Sequence, residues 1–174
     1  MIDKKQYFAF SLVKGLGPIN FQKLYSYFPS IVHAWQAPYS ELVRSGLQEK
    51  VVMEIIETRN KVNIEEELEK IYSQNIDVVT LNDNNYPKLL KQISNPPFLL
   101  YYKGKLNDPR DVNSVAVVGT RKISEYGKRV TQNIVTELVK YNLSIVSGLA
   151  SGIDAVAHQT CLDNNGRTIE VQGF

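Results

Sequence analysis

Residues 114–174 read SVAVVGTRKISEYGKRVTQNIVTELVKYNLSIVSGLASGIDAVAHQTCLDNNGRTIEVQGF, and short apolar runs alternate in them with longer amphipathic segments. The apolar runs predict strands, and the amphipathic segments predict helices. The predicted strands cover 115–118, 143–146 and 167–171, and the predicted helices cover about 125–140, after an N-cap at Ser124, and about 153–163. Because the first run is continuously apolar, we expect its strand to be buried on both faces of a sheet.

The order β-α-β-α-β, with short loops, predicts an α/β fold in which three neighbouring parallel strands carry packed helices. In such a sheet, ligands bind where the carboxyl ends of strands meet the N-termini of helices. Two glycine-bearing turns, at 119–124 and 147–152, follow the first and second predicted strands. We therefore expect both turns to lie side by side at one edge of the sheet.

The first turn carries Gly119, Thr120, Arg121 and Ser124, and these residue types suit an anion. Gly119 lets the backbone turn tightly off the strand, and the N–H groups that follow point outward at a helix N-terminus. The planar Arg121 guanidinium can bind two phosphate oxygens, while Thr120 and Ser124 supply hydroxyls. A tight structural turn with a solvated arginine explains the same residues about equally well.

Small residues fill most of the second turn, and they leave its backbone amides open to a ligand: Ser147, Gly148, Ala150 and Gly152. Two such turns together favour a phosphate or phosphodiester ligand over close packing alone. Neither turn has the G-x-G-x-x-G spacing of a dinucleotide site or the G-x-x-x-x-G-K-[ST] spacing of a P-loop, which disfavours an ordinary NAD enzyme or NTPase. Asp154 is interpreted as a carboxylate that stabilises the start of its helix.

Residues 1–74 have a different pattern, with apolar residues at helical spacing between short breaks that contain Gly and Pro. This pattern predicts four or five short helices. Gly15-Leu16-Gly17 resembles the hairpin of a helix-hairpin-helix module, and a plain helical turn explains it nearly as well. Residues 75–113 are predicted to be a connector, with short strands near 76–80 and 98–102.

The composition is that of an ordinary globular protein, with 174 residues, 43% hydrophobic, 22% charged and a net charge of +2. No segment is long and apolar enough for a membrane helix, and the N-terminus lacks the apolar core of a secretory signal. Cys161 is the single cysteine and cannot form an internal disulfide, so we expect a reducing, cytoplasmic setting.

His158 and Cys161 lie three positions apart on one predicted helix and could face the same way. A nucleophile pair needs an orienting group and an oxyanion site, and a metal site needs more ligands than these two. We therefore interpret both as packing residues, and predict no catalytic residue, no metal and no cofactor.

Four motifs occur in order along the chain: Tyr86-Pro87-x-x-Leu90; Pro96-Pro97-x-Leu99-x-Tyr101-x-Lys103-Gly104; Val115-Ala116-Val117-Val118-Gly119-Thr120-Arg121 with Ser124-x-Tyr126-Gly127; and Ile145-Val146-Ser147-Gly148-Leu149-Ala150-x-Gly152-Ile153-Asp154-x-x-Ala157-His158. Together they resemble the DNA-processing protein A family of bacterial natural transformation, DprA, also called Smf. The resemblance spans essentially the whole chain.

The resemblance implies a helical SAM-like or helix-hairpin-helix-like domain over 1–74, the connector over 75–113, and the first half of a Rossmann-like sheet that binds DNA over 114–174. It implies a non-enzymatic protein that binds single-stranded DNA, protects incoming DNA, helps to load the RecA recombinase and forms a homodimer. Carried over by position, the family's DNA site corresponds to residues of both turns: Gly119, Thr120, Arg121, Ser147, Gly148, Ala150 and Gly152. Ser124 is added to this predicted site because its hydroxyl lies in the first turn.

Relatives in the family continue after the third strand, often as Thr-Ile-Ala-Val-Leu-Gly, into a second half of the sheet. Here the strand reads Thr168-Ile169-Glu170-Val171-Gln172, with polar residues where a doubly covered strand is apolar. We therefore expect an N-terminal fragment, a shortened version or a disrupted reading frame, incomplete at the C-terminus of 114–174. The half expected to be missing carries the family's dimer interface and RecA-contact surface.

Two other function classes stay open from the sequence. One is a nucleotide- or nucleoside-phosphate-binding enzyme on a Rossmann-like sheet, for which Asp154 is the candidate carboxylate. The other is a protein-interaction module built on the helical domain. A membrane partner is not predicted.

Overall fold

The structure, a computed structural model, describes residues 2–106 and 108–173, so Met1, Asn107 and Phe174 of the predicted segments lie outside the described residues. Its contacts divide the chain into two compact units, Met1–Leu106 and Asn107–Phe174. The predicted helical domain falls in the first unit together with most of the predicted connector. Residues 108–113 of the connector fall in the second unit.

The first unit is mainly helical. Its described residues form six helices before the first strand, rather than four or five, because the break at Ala37-Pro38 separates two six-residue helices. These helices are α1 (Ile2–Ser11), α2 (Pro18–Tyr27), α3 (Ile31–Gln36), α4 (Tyr39–Arg44), α5 (Glu49–Lys61) and α6 (Ile64–Ser73).

Two strands of the predicted connector complete the first unit. They are β1 (Asp77–Thr80) and β2 (Leu99–Tyr102), joined through the short helix α7 (Lys88–Lys91) and paired antiparallel with Val78 opposite Tyr101. Val78 and Leu99 are buried in the same apolar core as the helices. The strands therefore pack on the helices instead of forming a separate linker.

Aromatic rings organise the core of the first unit. The rings of Phe21 and Phe98 stack with centroids 3.9 Å apart and planes 8° from parallel. Tyr7 lies 5.0 Å from Phe21, and the edge of one ring meets the face of the other between Phe10 and Trp35, at 4.9 Å. Such pairs stabilise a core beyond the area they bury, so residues far apart in sequence are held together here.

Arg59 of α5 satisfies the end of α3. Its guanidinium donates to the carbonyl oxygens of Ala34, at 2.9 Å, and Ala37, at 2.8 Å. The same group lies 5.3 Å from the centre of the Trp35 ring, within cation–π range. Burial lowers the pKa of Arg59 to about 10. The last carbonyls of a helix lack partners within it. The Ala34 carbonyl accepts the Ala37 N–H at 3.4 Å, and Arg59 adds a shorter hydrogen bond there and a donor for the Ala37 carbonyl.

The second unit has the predicted β-α-β-α-β order, and the predicted α/β class is confirmed. After a 3₁₀ turn (Pro109–Val112), its elements are β3 (Ser114–Ala116), α8 (Glu125–Lys140), β4 (Ser144–Ser147), α9 (Ile153–Asp163) and β5 (Thr168–Glu170). The strands are parallel in the order β3-β4-β5. Helices α8 and α9 pack against each other and against β4, and between them lie the buried side chains Val135, Ile145, Ala157 and Cys161.

The expectation that the first strand is buried on both faces is wrong. Strand β3 covers Ser114–Ala116 alone, its residues are half-buried or exposed, and Val118 is 74% exposed. The physical reason is its position, since β3 is an edge strand and both helices of this unit pack around the central strand, β4. A continuous apolar run suggests a strand that is buried on both faces. Among the described residues, β3 does not reach this burial.

Asp111 clasps the amino ends of the three parallel strands. Its carboxylate accepts two hydrogen bonds of 3.0 Å from the Arg167 guanidinium and one of 3.1 Å from the Ser144 hydroxyl. The hydrogen bond from Arg167 to Asp111 also raises the pKa of that guanidinium above its ordinary value. The clasp lies at the edge of the sheet opposite to the glycine-bearing turns.

Replacing Arg59 by methionine should destabilise the first unit. The substitution keeps an unbranched stem but removes both donors to the end of α3, so we expect the free energy of unfolding to fall by about 1.5–3 kcal/mol. Urea unfolding followed by the fluorescence of Trp35, the single tryptophan, measures this change. Arg44→Met is the control, because Arg44 pairs with Glu41 in solvent and should unfold like the wild type. Equal losses in both variants would contradict the role given to Arg59.

Replacing Asp111 by alanine should loosen the parallel sheet. The Arg167 and Ser144 donors lose their shared acceptor, and we expect the opening free energy of β4 and β5 to fall by about 1–3 kcal/mol. Hydrogen–deuterium exchange of the amides in these strands measures the loss. Glu137→Ala, which removes an exposed ion pair with Lys140 on α8, should leave their exchange unchanged. Unchanged exchange in Asp111→Ala would show that the clasp does not hold the strands.

Candidate functional site

The two glycine-bearing turns lie side by side at the carboxyl edge of β3 and β4. The strands pair in parallel, with Ala116 beside Val146, and the Val117 N–H donates to the Val146 carbonyl at 2.9 Å just beyond the last pair. Loop A, residues 117–124, leaves β3, and loop B, residues 148–152, leaves β4. Each loop leads into the first turn of a helix.

Gly152 brings the backbones of the two loops into direct contact. Its φ of +92° is in the region that favours glycine, and a Cβ at this position would collide with the carbonyl oxygen of Thr120 and lie 2.8 Å from Cα of Arg121. The next residue, Ile153, donates its N–H to the same Thr120 oxygen at 3.2 Å. Loop B therefore positions the backbone of loop A at Thr120 and Arg121.

Gly119 makes a second close contact between the loops. A Cβ on Gly119 would lie 2.8 Å from Cβ of Ile153, so the first residue of α9 occupies the space that a larger residue would need. The sequence interpretation of Gly119 as a tight turn is thus incomplete. Position 119 must lack a side chain so that loop A can pack against α9, as well as for the turn.

The predicted hydroxyl residues have different local roles. The Thr120 hydroxyl accepts the Lys122 N–H at 3.1 Å, and the Ser124 hydroxyl accepts the Gly127 N–H at 3.1 Å as the N-cap of α8. Ser147 is buried, and its hydroxyl donates to the Val117 carbonyl at 2.6 Å. The Ser147 side chain thus ties the ends of β3 and β4 together, whereas Thr120 and Ser124 lie at the surface.

Backbone N–H groups are left open in both loops. Within residues 2–106 and 108–173, no acceptor is found for the amides of Gly119, Thr120 and Arg121, or for those of 148–152. Gly148 and Ala150 are half-buried, and Gly119 and Thr120 are exposed. Unpaired amides at the surface of a strand–helix junction are suited to bind the oxygens of an anion.

Positive side chains without partners occur in loop A and in the first turns of α8. They are exposed, and within the described part of the chain they form no hydrogen bond or ion pair through their side chains: Arg121, Lys122, Lys128 and Arg129. At the far end of the same helix, by contrast, Lys140 pairs with Glu137 at 2.6 Å. Unpaired cations are therefore concentrated near the loops and the start of α8.

His158 holds loop B in place through its imidazole ring, a role that the sequence analysis did not assign to it. Its Nε2 donates to the Gly148 carbonyl at 2.7 Å, and its Nδ1 lies 2.6 Å from the Thr168 hydroxyl on β5. The i, i+3 spacing with Cys161 gave no signal of these contacts. Cys161 is buried, its thiol donates to the Arg167 carbonyl at 3.3 Å, and burial raises the pKa of the thiol. The burial of Cys161 fits its interpretation as a packing residue, whereas His158 acts through hydrogen bonds of both ring nitrogens.

Asp154 lies in the first turn of α9, as predicted, but is only 8% exposed. A Cβ on Gly148 would lie 2.8 Å from Oδ2 of Asp154, so the carboxylate occupies space that the glycine leaves. The missing side chain at Gly148 thus allows loop B to lie directly over this carboxylate.

Within the described residues, no group of three His, Cys, Asp or Glu side chains is placed to hold a metal ion. Over the same residues, none of the helices combines the length and the apolar character needed to cross a membrane.

Comparisons with known proteins identify relatives of this chain. The family model for DNA recombination-mediator protein A matches residues 77–174. Protein Smf of Synechocystis is 40% identical over 98% of this chain and 44% of its own length. The DNA processing protein DprA of Bacillus subtilis is 38% identical over 56% of this chain.

A solved structure supports the fold over nearly the whole chain. The X-ray structure of DNA processing protein A from Streptococcus pneumoniae matches with a TM-score of 0.72 and 30% identity, over 96% of this chain and 55% of that one. The chain thus spans about half the length of the Synechocystis and S. pneumoniae proteins, and its match to the B. subtilis protein covers 33% of that protein. With the family model matched over more than half of its residues, the chain belongs to the DNA recombination-mediator protein A family, DprA or Smf.

Proposed function

We propose that this protein binds single-stranded DNA at the carboxyl edge of β3 and β4. The observation that carries the proposal is the combination of open amides in both loops with unpaired cations around them. The amides can bind phosphate oxygens at short range, and the cations supply the long-range attraction that a polyanion experiences. Gly119 and Gly152 keep the two sets of amides close enough to serve one strand.

The distribution of charge supports a chain of phosphates over a single phosphate group. Arg121 and Lys122 lie in loop A, while Lys128 and Arg129 lie on the first turns of α8. Cations spread along a helix can follow successive phosphates of a strand. The relatives from B. subtilis and S. pneumoniae are named as DNA processing proteins, which is consistent with this ligand.

The wider biological role follows from the family and is part of the proposal. We place the protein in DNA processing during natural transformation, in the cytoplasm, where it protects single-stranded DNA without a catalytic step. Loading of the RecA recombinase and homodimer formation are proposed on the same ground for a protein that also has the second half of the sheet, where the family resemblance places both surfaces. The chain spans 44% of the Synechocystis relative, so these partnerships remain proposals for this polypeptide.

A nucleotide-binding enzyme is the alternative that the sequence leaves open. It would use Asp154 as its reacting carboxylate, and that group is 8% exposed beneath loop B. This burial favours a positioning role for Asp154 over direct attack on a substrate. Titration with mononucleotides beside oligonucleotides separates the two, because a nucleotide enzyme would bind the mononucleotide at least as tightly.

Single strands should bind more tightly than duplexes, and binding should weaken steeply with salt. Each phosphate contact in a single strand releases a counterion, so we expect log K to fall with log[salt] at a slope of about −0.7 for each contact. Fluorescence anisotropy with a labelled oligonucleotide and its duplex, over a series of salt concentrations, measures both effects. Equal affinity for the two forms, or binding independent of salt, would contradict the proposed function.

Replacing Arg121 by alanine should weaken binding without weakening the fold. Loss of a charge-assisted contact, bidentate where geometry allows, costs about 1.5–3 kcal/mol, or roughly ten- to a hundredfold in affinity. The salt slope should also become shallower by about 0.7. Anisotropy titration measures affinity and slope, and urea unfolding should match the wild type because the side chain is exposed and unpaired.

Two lysines serve as controls for Arg121. Lys122→Ala, one position along the loop, should weaken binding less, because an ammonium cannot form a bidentate contact with phosphate. Lys140→Ala, at the other end of α8 and paired with Glu137, should leave binding unchanged. If Arg121→Ala binds like the wild type while it remains folded, loop A is a structural turn and the site assignment is wrong.

A further inference from the structure

Tyr126 is an exposed aromatic residue that the fold does not use. It is the second residue of α8 and is 71% exposed. Among the described residues, neither its ring nor its hydroxyl has a partner. Tyr141 at the other end of α8 is 76% exposed, so exposure alone does not distinguish Tyr126. Its position does, because Tyr126 lies in the first turn of α8, directly after loop A.

The first turn of α8 lies over the junction of the two loops. A Cβ on Gly127 would lie 3.5 Å from Ile123 of loop A and 3.8 Å from Ile153, the first residue of α9. The Ser124 cap holds this turn in place through the Gly127 N–H. Tyr126 directly precedes Gly127 in this first turn, so its backbone lies at the end of α8 that adjoins loop A.

Unpaired cations border Tyr126 on both sides in the sequence. Lys122 precedes α8, and Lys128 and Arg129 follow on its first turns. Arg129 is three positions from Tyr126, which makes the two side chains neighbours on the helix surface. A strand whose phosphates contact these cations would therefore pass close to the ring.

Apolar side chains are also exposed at the same edge of the sheet. Val118 in loop A is 74% exposed and Leu149 in loop B is 61% exposed, and both stand among the open amides. An inorganic polyanion offers nothing that these side chains or an aromatic ring could bind. A nucleic acid with unstacked bases offers both phosphates and flat apolar surfaces.

We propose that Tyr126 is a stacking platform for an unpaired nucleobase of the strand whose phosphates lie on loops A and B. The inference rests on the proposed function and adds a base contact to its phosphate contacts. Every base has a π-face, so this contact selects single strands over duplexes without reading sequence.

Three variants of the full chain test the role of the ring. Tyr126→Ala should weaken binding of a labelled oligonucleotide by roughly five- to a hundredfold, the range measured for loss of one base–aromatic stack. Tyr126→Phe should keep wild-type affinity, because the ring stacks and the hydroxyl does not. Tyr141→Ala is the matched control: Tyr141 is 76% exposed at the other end of α8, about 22 Å away along the helix, and should have no effect.

A strand without bases separates stacking from phosphate binding. The wild type and Tyr126→Ala should bind an abasic oligonucleotide equally, and both more weakly than the wild type binds the intact strand. The salt slope with the intact strand should be the same in both proteins, because the number of phosphate contacts does not change.

Several outcomes would overturn the inference. If Tyr126→Ala binds the intact strand like the wild type, or loses the same factor on the abasic strand, the ring does not stack on a base, while the proposed phosphate site stands. If Tyr126→Phe is as weak as Tyr126→Ala, the hydroxyl is the contact and stacking is wrong. If the wild type binds neither strand, the proposed function and this inference both fail.

Discussion

The candidate site depends on one backbone contact, between Gly152 and the Thr120–Arg121 peptide. Because Gly152 has no Cβ, the two loops approach until the Ile153 N–H reaches the Thr120 carbonyl at 3.2 Å. This hydrogen bond uses the first free amide of α9, and it turns the Thr120 carbonyl inward, away from any anion. The N–H groups of Gly119, Thr120 and Arg121 stay open beside the exposed side chains of Arg121 and Lys122. The contact between Gly152 and the Thr120–Arg121 peptide therefore decides which backbone donors and acceptors are available at the carboxyl edge of β3 and β4.

Polar contacts hold the small sheet of the second unit at both ends of its strands. The Asp111 carboxylate clasps the amino ends of the strands, whereas Ser147 and His158 tie the carboxyl ends. Its buried apolar core is small, so polar contacts carry a large share of its organisation. The first unit differs, since a dense aromatic core and the Arg59 cap define it.

Much of this could be predicted from local sequence. The spacing of apolar residues around Val135 and the cap at Ser124 predicted α8 with its bounds, and the small residues of the two turns predicted where the loops lie. Burial was harder. The run at 115–118 was expected to be buried on both faces, because an apolar run does not say whether its strand is central or at an edge.

Long-range contacts could not be predicted in this way. Asp111 and Arg167 are far apart in the sequence, and neither stands in a pattern that favours an ion pair. The same is true of Arg59 and the end of α3, because helix signals do not reveal which side chain of another helix will cap a carboxyl end. His158 was visible as a residue type, and its partners at Gly148 and Thr168 were fixed only by the parallel strands.

The His158 bridge makes loop B sensitive to the third strand. One ring nitrogen meets Thr168 on β5 and the other meets Gly148 in the loop, so a displacement of β5 is transmitted through a rigid, planar ring. Thr168 is tied in turn to the Ile145 carbonyl of the central strand. Strand β5 has three residues and pairs on one side with β4 in the described part of the chain. We therefore expect that whatever stiffens or shifts this short strand also changes the mobility of the loop B amides.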